Sequence, residues 1–332
     1  MSAMQAVVVN TAGKLVDQTV PDLPVGPHDI RVAIEAISVN PIDLKRITRI
    51  GPGDSRILGY DAVGRIIERG AAVTELQLGA RVMYAGSTQR AGTYAQTQVV
   101  DARLVALAPT RVSLADTAAL PLTWLTAVEI LTDKLGYVLN QANQRGTLLV
   151  INGAGGAGSI LTQVAHRMGL TVLATSSPQH FDWLRQHGVA VPLDYHQDLV
   201  AQVHAAGYAQ VDATINLFDT GRYFTETVAL ARPFGHLVNL TQTTIPLDLV
   251  ELQAKSLSFD WELMFTKSHY QYRLATQGQA LTVLQRWLDA GIVRTTRTRT
   301  LTGPINAATL RQAHRLLGDH QMLGKLVIMN EH

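Results

Sequence analysis

Three glycines with dinucleotide-binding spacing stand in the segment INGAGGAGS, directly after the apolar run TLLVIN and before the helical pattern Ser159 to Met168. In such a turn the first glycine permits a tight bend, the second lets a pyrophosphate approach, and the third lets the helix pack on the strand. The start of the helix also offers free amides and a partial positive charge to phosphates. The predicted phosphate site comprises Gly153, Gly155, Gly156, Ala157 and Gly158.

The end of the second strand indicates which dinucleotide binds. An NAD site normally carries Asp or Glu there, about 20 residues beyond the turn, but residues 174–177 read Ala-Thr-Ser-Ser. Ser177 before Pro178 resembles a helix N-cap, whose amides and hydroxyl can receive an anion. We therefore predict NADPH, with the competing acid Asp182 as a helix-dipole partner or a solvated side chain. The residues predicted around the 2′-phosphate are Ser176, Ser177, His180, Arg185 and Tyr195.

The composition excludes several classes of protein. The chain has 332 residues, 47% of them hydrophobic, and a formal net charge of +2, which is too balanced for a protein that binds by neutralising many phosphates. Cysteine is absent, so disulfides, thiolate nucleophiles and sulfur-liganded zinc are excluded. The N-terminal segment lacks the features of a signal peptide, and the longest apolar stretch is too short for a membrane span. We expect a cytoplasmic protein without membrane or nucleic-acid partners.

The pattern along the chain predicts two domains. Short Val- and Ile-rich runs separated by Gly and Pro occupy residues 1 to about 110, which is typical of a mostly antiparallel β domain. A helix is predicted over residues 114–136, followed by alternating strands and helices that indicate a doubly wound parallel sheet. The predicted division is residues 1–117 with 262–332 for one domain and 118–261 for the other. The fold class is therefore α/β with a second, β-rich domain.

Seven short segments are spread over nearly the whole chain: VNPIDLKR, GYDAVGRI, GARVMY, GTYAQ, LPLTWLTA, INGAGGAGS and GKLVI. They resemble segments of the medium-chain dehydrogenase/reductase superfamily, and within it those of the zinc-free quinone oxidoreductases related to zeta-crystallin. Two further segments, WELMFTKS and INAATLRQAH, are closer still to the branch of zinc-type alcohol dehydrogenase-like proteins. The resemblance implies a GroES-like catalytic domain and a Rossmann NADP-binding domain.

Zinc ligands of these relatives have no counterparts in this sequence. The matching positions hold Asn40, then Tyr60 and Asp61, and Leu or Pro at 120–121, so no metal site is expected. Without a Lewis acid, a quinone or conjugated enone accepts hydride more readily than a simple ketone, because the charge is delocalised. We predict Tyr60 and Asn40 as donors to the acceptor oxygen, with Lys45 as a further candidate. The alternatives are a turn fixed by Asn40 and a core position for Tyr60.

The resemblance also implies contacts with the nucleotide away from the glycine turn. It further implies a homodimer or homotetramer, and the strand HLVNL is the expected sheet edge for pairing. Trp124, Trp261 and Phe265 are expected in packing. The positions that match nucleotide contacts in relatives are Asn40, Thr126, Leu217, Phe218, Asp219, Leu240, Thr241 and Lys325.

The function that these patterns favour is NADPH-dependent hydride transfer to a quinone or an α,β-unsaturated carbonyl compound without zinc. Two alternatives stay open: a carbonyl or alcohol dehydrogenase that uses Tyr60 as an acid, and a non-catalytic nucleotide-binding protein of the crystallin or RNA-associated kind. The Arg and Thr alternation in VRTTRTRTL is the feature that favours the latter, although it also describes an exposed strand face. The signatures of short-chain dehydrogenases, serine hydrolases and Walker P-loops are missing.

Overall fold

The computed structural model describes residues 3–51, 54–318 and 322–331. The chain forms two compact units: unit 1 comprises Met1–Leu125 and Phe265–His332, and unit 2 comprises Thr126–Met264. The sequence places these divisions at 117 and 261. The first observed boundary lies further along the chain, inside a helix of nine residues that begins at Pro121.

Unit 1 contains two sheets made of short strands. The larger sheet has the order β15-β16-β3-β5-β6-β8, with β7 also paired to β3, and the smaller has the order β2-β1-β4. Neighbouring strands are antiparallel except β15 and β16. Numbered along the whole chain, its strands are β1 (Ala3–Val9), β2 (Leu15–Pro21), β3 (Asp29–Ser38), β4 (Arg56–Ile57), β5 (Asp61–Arg69), β6 (Arg81–Tyr84), β7 (Thr97–Asp101), β8 (Val105–Leu107), β15 (Arg297–Gly303) and β16 (Lys325–Asn330).

Helices cover this sheet and close its core. Leu281, Leu284 and Leu288 are buried on one face of α10, at the three- and four-residue spacing of an amphipathic helix, and α10 packs on β8. The core itself is built from the inward side chains of the strands, such as Ile30, Val32 and Ile34 of β3. The helices of unit 1 are α1 (Pro41–Ile47), α2 (Leu114–Ala118), α9 (Thr266–His269), α10 (Ala275–Asp289) and α11 (Ala307–Gly318), with a 3₁₀ turn over Ala102–Leu104; α3 (Pro121–Glu129) contains the boundary between the units.

The strands of unit 2 form one parallel sheet with the order β11-β10-β9-β12-β13-β14. This is the doubly wound Rossmann order, with the switch point between β9 and β12. The predicted fold class is therefore confirmed. The strands are β9 (Thr147–Ile151), β10 (Thr171–Ser176), β11 (Val191–Asp194), β12 (Val211–Asn216), β13 (Ala231–Asn239) and β14 (Ser258–Trp261); the helices are α4 (Gly156–Arg167), α5 (Phe181–Gln186), α6 (Leu199–Ala205), α7 (Phe224–Leu230) and α8 (Val250–Gln253), with a 3₁₀ turn over Pro178–His180.

The long helix predicted over residues 114–136 is wrong in detail. It is divided into α2, α3 and a π-helical turn over Ile130–Lys134. Pro121 is the cause of the first break, since it lacks an N–H and fits only the first turn of a helix. Strand β2 was not predicted, because its polar residues obscure the alternation.

The edge of the parallel sheet also differs from the expectation. β14 pairs with β13, so the strand that contains HLVNL is internal and β14 forms the edge. Trp261, at the end of β14, is 46% exposed rather than packed in a core, whereas Trp124 is fully buried as predicted. Among the described residues, no helix combines the length and the hydrophobicity that crossing a membrane requires.

Candidate functional site

The glycine turn of unit 2 connects β9 to α4 and depends on close backbone packing. A Cβ on Gly158 would lie 2.3 Å from the carbonyl oxygen of Asn152, and one on Gly153 would lie 2.6 Å from Ala174 Cβ. The left-handed residue of the turn is Asn152, with φ of 67°, rather than Gly153. Gly153 is therefore required by its proximity to β10, which corrects the predicted reason for that glycine.

The N-terminus of α4 presents backbone donors at the switch point. α4 begins at Gly156, three residues before the predicted start, and the first N–H groups of a helix have no acceptor within it. Gly155 N–H, just before the helix, donates to Asn152 O at 3.3 Å, and Ser159 N–H is the first N–H of α4 that is bonded, to Gly155 O at 2.9 Å. The donors left for a ligand are those of Gly156, Ala157 and Gly158, which fit the pyrophosphate of a dinucleotide in a Rossmann sheet.

The residues predicted around the 2′-phosphate gather at the carboxyl ends of β10 and β11. Ser176 pairs in register with Asp194, and Tyr195 N–H donates to Ser176 O at 3.4 Å. Ser177 is the N-cap residue of the 3₁₀ turn that ends at His180, and its side chain makes no capping bond there. These hydroxyls and the imidazole are suitable partners for a phosphate, but contact with a nucleotide stays a prediction.

Two carboxylates near the predicted 2′-phosphate site already have hydrogen-bond partners within the chain. The side chain of Asp182 is 89% exposed and pairs with Arg185 at 3.0 Å. Asp194, which the sequence analysis did not consider, is buried and accepts from His196 Nδ1 at 2.7 Å and from Gln197 Nε2 at 3.2 Å. Both carboxylates thus already have partners in the folded chain, and which coenzyme binds here stays a prediction.

Asn216 organises the chain after β12, a role that the sequence analysis missed. Its Oδ1 accepts from the N–H groups of Phe218 and Asp219 at 3.1 and 3.2 Å. Its backbone oxygen accepts from Leu240 N–H at 3.0 Å, and Thr241 Oγ1 donates to Phe218 O at 2.8 Å. The predicted positions Phe218, Leu240 and Thr241 are thus brought together at the switch-point edge, and an Asn directly after an apolar strand is the signal that indicates such a turn. Thr126, on α3, is buried.

A buried polar cluster joins three segments of unit 1. Lys325 Nζ donates to Asn40 Oδ1 at 2.5 Å, to Val39 O at 3.2 Å and to Asp61 Oδ2 at 3.2 Å. Asp61 also accepts from Asn40 Nδ2 at 2.9 Å and from Leu122 N–H at 2.7 Å. Burial raises the pKa of Asp61, while Lys325 and these donors act in the opposite direction. We call Asn40, Asp61 and Lys325 the lysine cluster.

The lysine cluster changes what its members can do. Asn40 uses one amide proton for Asp61 and the other for Ser38 O at 3.2 Å, and the three donors of Lys325 all have acceptors. A bond from either residue to a substrate or a nucleotide would require one of these to be given up. The contacts show a positioning role, and the direct roles predicted for Asn40 and Lys325 stay predictions.

The same cluster does not fit a zinc ion. Its side chains are an amide, an ammonium group and one carboxylate, and the ammonium group already lies 3.2 Å from that carboxylate. A tetrahedral zinc site uses Cys, His or carboxylate ligands and has no place for a cation within the ligand set. The lysine cluster therefore does not provide a tetrahedral zinc site.

A second buried chain of polar groups starts beside the lysine cluster. Asp43 Oδ2 accepts from Asn40 N–H at 2.8 Å and from Tyr94 Oη at 2.9 Å, and Tyr94 Oη lies 2.9 Å from His314 Nε2. Tyr94 has one proton, so if it donates to Asp43, His314 donates to Tyr94. Burial raises the pKa of Asp43 to about 7 and lowers that of His314 to about 4. The sequence analysis did not connect these residues, because residues 43, 94 and 314 meet only in the folded chain.

Tyr60 lines a cavity of about 560 Å³ in unit 1, which we call the Tyr60 cavity. Its ring packs on Phe265 with 4.8 Å between centroids, and Phe265 stacks in turn on His269, which contacts Thr88. Burial raises the pKa of Tyr60, and the negative charge of Asp43 adds to the effect. The hydroxyl therefore stays protonated at neutral pH. Lys45 is exposed on α1. The lining of the cavity includes Arg46, Arg49, Arg56, Tyr60, Thr88 and Arg90.

A Rossmann unit with a glycine turn, together with a β-rich unit that matches a known catalytic domain, defines the class of protein. The family model for the alcohol dehydrogenase GroES-like domain matches residues 26–110, and that for zinc-binding dehydrogenases matches residues 187–328. A zinc-type alcohol dehydrogenase-like protein of Staphylococcus aureus is 36% identical over 303 residues, which are 90% of each chain. The NADPH-dependent alkenal/one oxidoreductase of Arabidopsis thaliana chloroplasts is 30% identical over 230 residues, 65% of this chain and 56% of that protein.

Solved structures agree with these relatives. A protein from Rhizobium etli CFN 42, named as a zinc-dependent alcohol dehydrogenase, is 35% identical, with a TM-score of 0.92 over 100% of this chain and 99% of its own. A mycobacterial protein complexed with NADPH is 25% identical, with a TM-score of 0.84 over 98% and 99% of the two chains. The chain belongs to the medium-chain dehydrogenase/reductase superfamily, in its zinc-type alcohol dehydrogenase-like branch. It is an oxidoreductase of that family, which confirms the predicted resemblance.

Proposed function

We propose that this protein is an NADPH-dependent reductase that transfers hydride to a quinone or an α,β-unsaturated carbonyl compound without a zinc ion. The observation that carries the proposal is the lysine cluster, in which Asn40, at a position that matches a zinc ligand of the zinc-dependent relatives, is bonded to Lys325 and Asp61 instead. Without a metal to polarise a carbonyl oxygen, the acceptor must be one that spreads the incoming negative charge itself.

The residues of unit 2 supply the nucleotide site in this proposal. Gly156, Ala157 and Gly158 hold the pyrophosphate through their backbone N–H groups, and Ser176 with Ser177 receives the 2′-phosphate. When bound, NADPH supplies the hydride. The NADPH-bound mycobacterial structure and the NADPH-dependent Arabidopsis relative support this cofactor.

Tyr60 supplies the hydrogen bond to the acceptor in unit 1. Its raised pKa keeps the hydroxyl protonated. The hydroxyl therefore donates a hydrogen bond to the acceptor's oxygen, on which negative charge develops. The lysine cluster fixes the chain at the end of β3 and at the start of β5, directly beside Tyr60. Asn40, Asp61 and Lys325 are positioning residues in this scheme, and Tyr60 is the catalytic residue.

The proposal is tested by following NADPH oxidation at the nicotinamide absorbance with a quinone, an enone and a simple aldehyde, each with and without a chelator. We expect turnover of the quinone and the enone that the chelator does not change. Tyr60→Phe should lower kcat about 100- to 1,000-fold, as expected for a lost donor to a developing oxyanion, without weakening NADPH binding. The control is Tyr270→Phe, since Tyr270 is 79% exposed. Loss of all turnover on chelation, or no oxidation with any conjugated acceptor, would contradict the proposal.

A second candidate function is an NADPH-dependent carbonyl or alcohol dehydrogenase. The name of the Staphylococcus aureus relative favours it, and Tyr60 would be the acid. The aldehyde arm of the same assay separates the two, because only this candidate turns over a simple aldehyde as well as an enone.

The coenzyme preference is a separate test of the nucleotide site. The kcat/KM with NADPH should exceed that with NADH at least about tenfold if the serines at the end of β10 bind the 2′-phosphate.

The predicted assembly and location remain proposals. We propose a homodimer or homotetramer in the cytoplasm, with the small-molecule acceptor as the other partner. β14 leaves the edge of the parallel sheet open, and Trp261 and Leu263 are 46% and 44% exposed beside it. Light scattering after size-exclusion chromatography measures the assembly, and a monomer at micromolar concentration would contradict it.

A further inference from the structure

The Tyr60 cavity carries an excess of positive charge. Arg46 on α1, Arg49 just beyond it, Arg56 at the start of β4 and Arg90 all line it, and Asp54 is the acidic side chain in the lining, as far as the structure describes it. The apolar part of the lining comprises Val8, Val20, Ile57 and Leu58.

The arginines differ in the partners that they already have. Arg90 makes two bonds of 2.8 Å to Asp29, one to each carboxylate oxygen, so its charge is compensated. Arg46 Nε, in contrast, is buried and finds no hydrogen-bond partner among the described residues. A buried donor of a charged group is costly to leave unsatisfied, so an anionic oxygen that reached Arg46 Nε would be bound favourably.

The positive charge reaches the catalytic tyrosine. Burial and Asp43 raise the pKa of Tyr60, but Arg46 and Arg56 each act against them and lower it. Arg46 also lowers the pKa of His269, which burial lowers first. These effects require both arginines to lie within electrostatic range of the Tyr60 hydroxyl.

We propose that the physiological acceptor carries a carboxylate, which the cavity binds through Arg46 with Arg49 and Arg56, while its conjugated part lies near Tyr60. This rests on the proposed function. The planar fork of arginine matches a carboxylate with two parallel bonds, and the cavity of about 560 Å³ is of the size that small-molecule ligands occupy. The apolar part of the lining suits the hydrocarbon of such a molecule.

The test uses two enones that differ in the charge and one methyl group of a single substituent: 4-(3-oxobut-1-enyl)benzoate and its methyl ester. We expect the KM of the carboxylate to be about tenfold below that of the ester, and the difference to shrink as salt rises. Arg46→Gln should remove most of this preference. Arg299→Gln is the matched control. Arg299 is exposed on β15, so this substitution removes the same charge at a position outside the cavity. If Arg46→Gln does not fold, Arg56→Gln replaces it.

A measurement without turnover separates this inference from the proposed function. Calorimetric titration of the benzoate into the protein with NADP⁺ present gives its affinity directly. Arg46-dependent binding without any enone reduction would support the cavity and contradict the proposed function. Equal KM values for acid and ester, together with no effect of Arg46→Gln on either, would overturn the inference while the reductase activity stands.

Discussion

The two polar sites of this protein are built in opposite ways. In unit 2 the glycine turn offers backbone N–H groups to a ligand. Its glycines allow the close backbone packing of the turn because they have no side chain: a Cβ on Gly158 would lie 2.3 Å from Asn152 O. In unit 1 the lysine cluster consists of side chains that satisfy one another, with Lys325 held by three acceptors. A site that leaves its donors open is suited to a ligand, whereas a site that closes on itself is suited to positioning.

This difference also sets how each site should respond to substitution. Removing one partner of a buried ion pair leaves an uncompensated charge, so the lysine cluster should be sensitive in stability. Adding atoms to the glycine turn should weaken nucleotide binding as well as stability.

Lys325→Met should lower the free energy of unfolding by about 3–5 kcal/mol, because Asp61 is left buried without its cation. Urea denaturation measures the change. Adding Asp61→Asn to the same chain should recover part of it, since the stranded charge is then gone. Arg65→Met is the control, because Arg65 is half exposed in its pair with Glu35 and should cost at most about 1 kcal/mol. Equal losses of unfolding free energy in Lys325→Met and Arg65→Met would contradict the prediction that the lysine cluster is the more sensitive site.

Asp43→Asn should change how stability depends on pH. The folded protein holds the Asp43 proton up to a pKa of about 7, whereas the ordinary value is 3.8. Its contribution is thus complete below about pH 4 and is lost as the pH rises through about 7. Between pH 5 and 8 the stability of the variant relative to the natural protein should therefore rise by about 2–3 kcal/mol. A relative stability that is constant across this range, measured by denaturation at both pH values, would contradict a raised pKa.

Gly158→Ala should weaken NADPH binding about tenfold or more and lower the unfolding free energy by about 1–3 kcal/mol, because the new Cβ displaces the turn. Fluorescence titration with NADPH measures the first effect. Gly51→Ala is the control, since a Cβ there meets nothing within 4 Å. Unchanged NADPH affinity in Gly158→Ala would show that the turn does not form the nucleotide site.

Asp182→Asn should have the smallest effect, with less than about a twofold change in the kcat/KM ratio of NADPH to NADH. The side chain is 89% exposed, and its pair with Arg185 is a surface pair of the kind that contributes little. Steady-state assays with both coenzymes measure the ratio. A large shift toward NADPH would reveal Asp182 as the ribose-binding acid that the sequence analysis set aside.

The Rossmann unit was the more predictable half of the fold. Its strands are apolar runs after which Gly, Ser or Asn ends the pattern, so local sequence is enough to place β9, β10 and β12 and the turn after each. The division of the predicted long helix at Pro121 was missed, although the proline is visible in the sequence. The polar strand β2 and the edge position of β14 depend on pairing with other strands, which periodicity does not report.

In unit 1 the candidate residues were found, but their relations were not. Asn40 and Tyr60 were singled out by their positions in motifs, whereas the structure turns the amide of Asn40 toward Asp61 and places Tyr60 in a cavity with arginines from other segments. Arg46 ends the quoted segment VNPIDLKR, but its place in a cavity formed with other segments is not visible in the sequence, and it was missed. The chain of Asp43, Tyr94 and His314 was missed for the same reason, because its members are distant in sequence.

The sequence alone determined the fold class, the superfamily and the turn that is predicted to receive phosphate, since each depends on residues that are neighbours along the chain. That Lys325 meets Asn40 and Asp61, across 285 and 264 positions of sequence, became visible in the folded chain. The physical reason is that burial and charge pairing depend on which segments are brought together, and no local pattern records that choice.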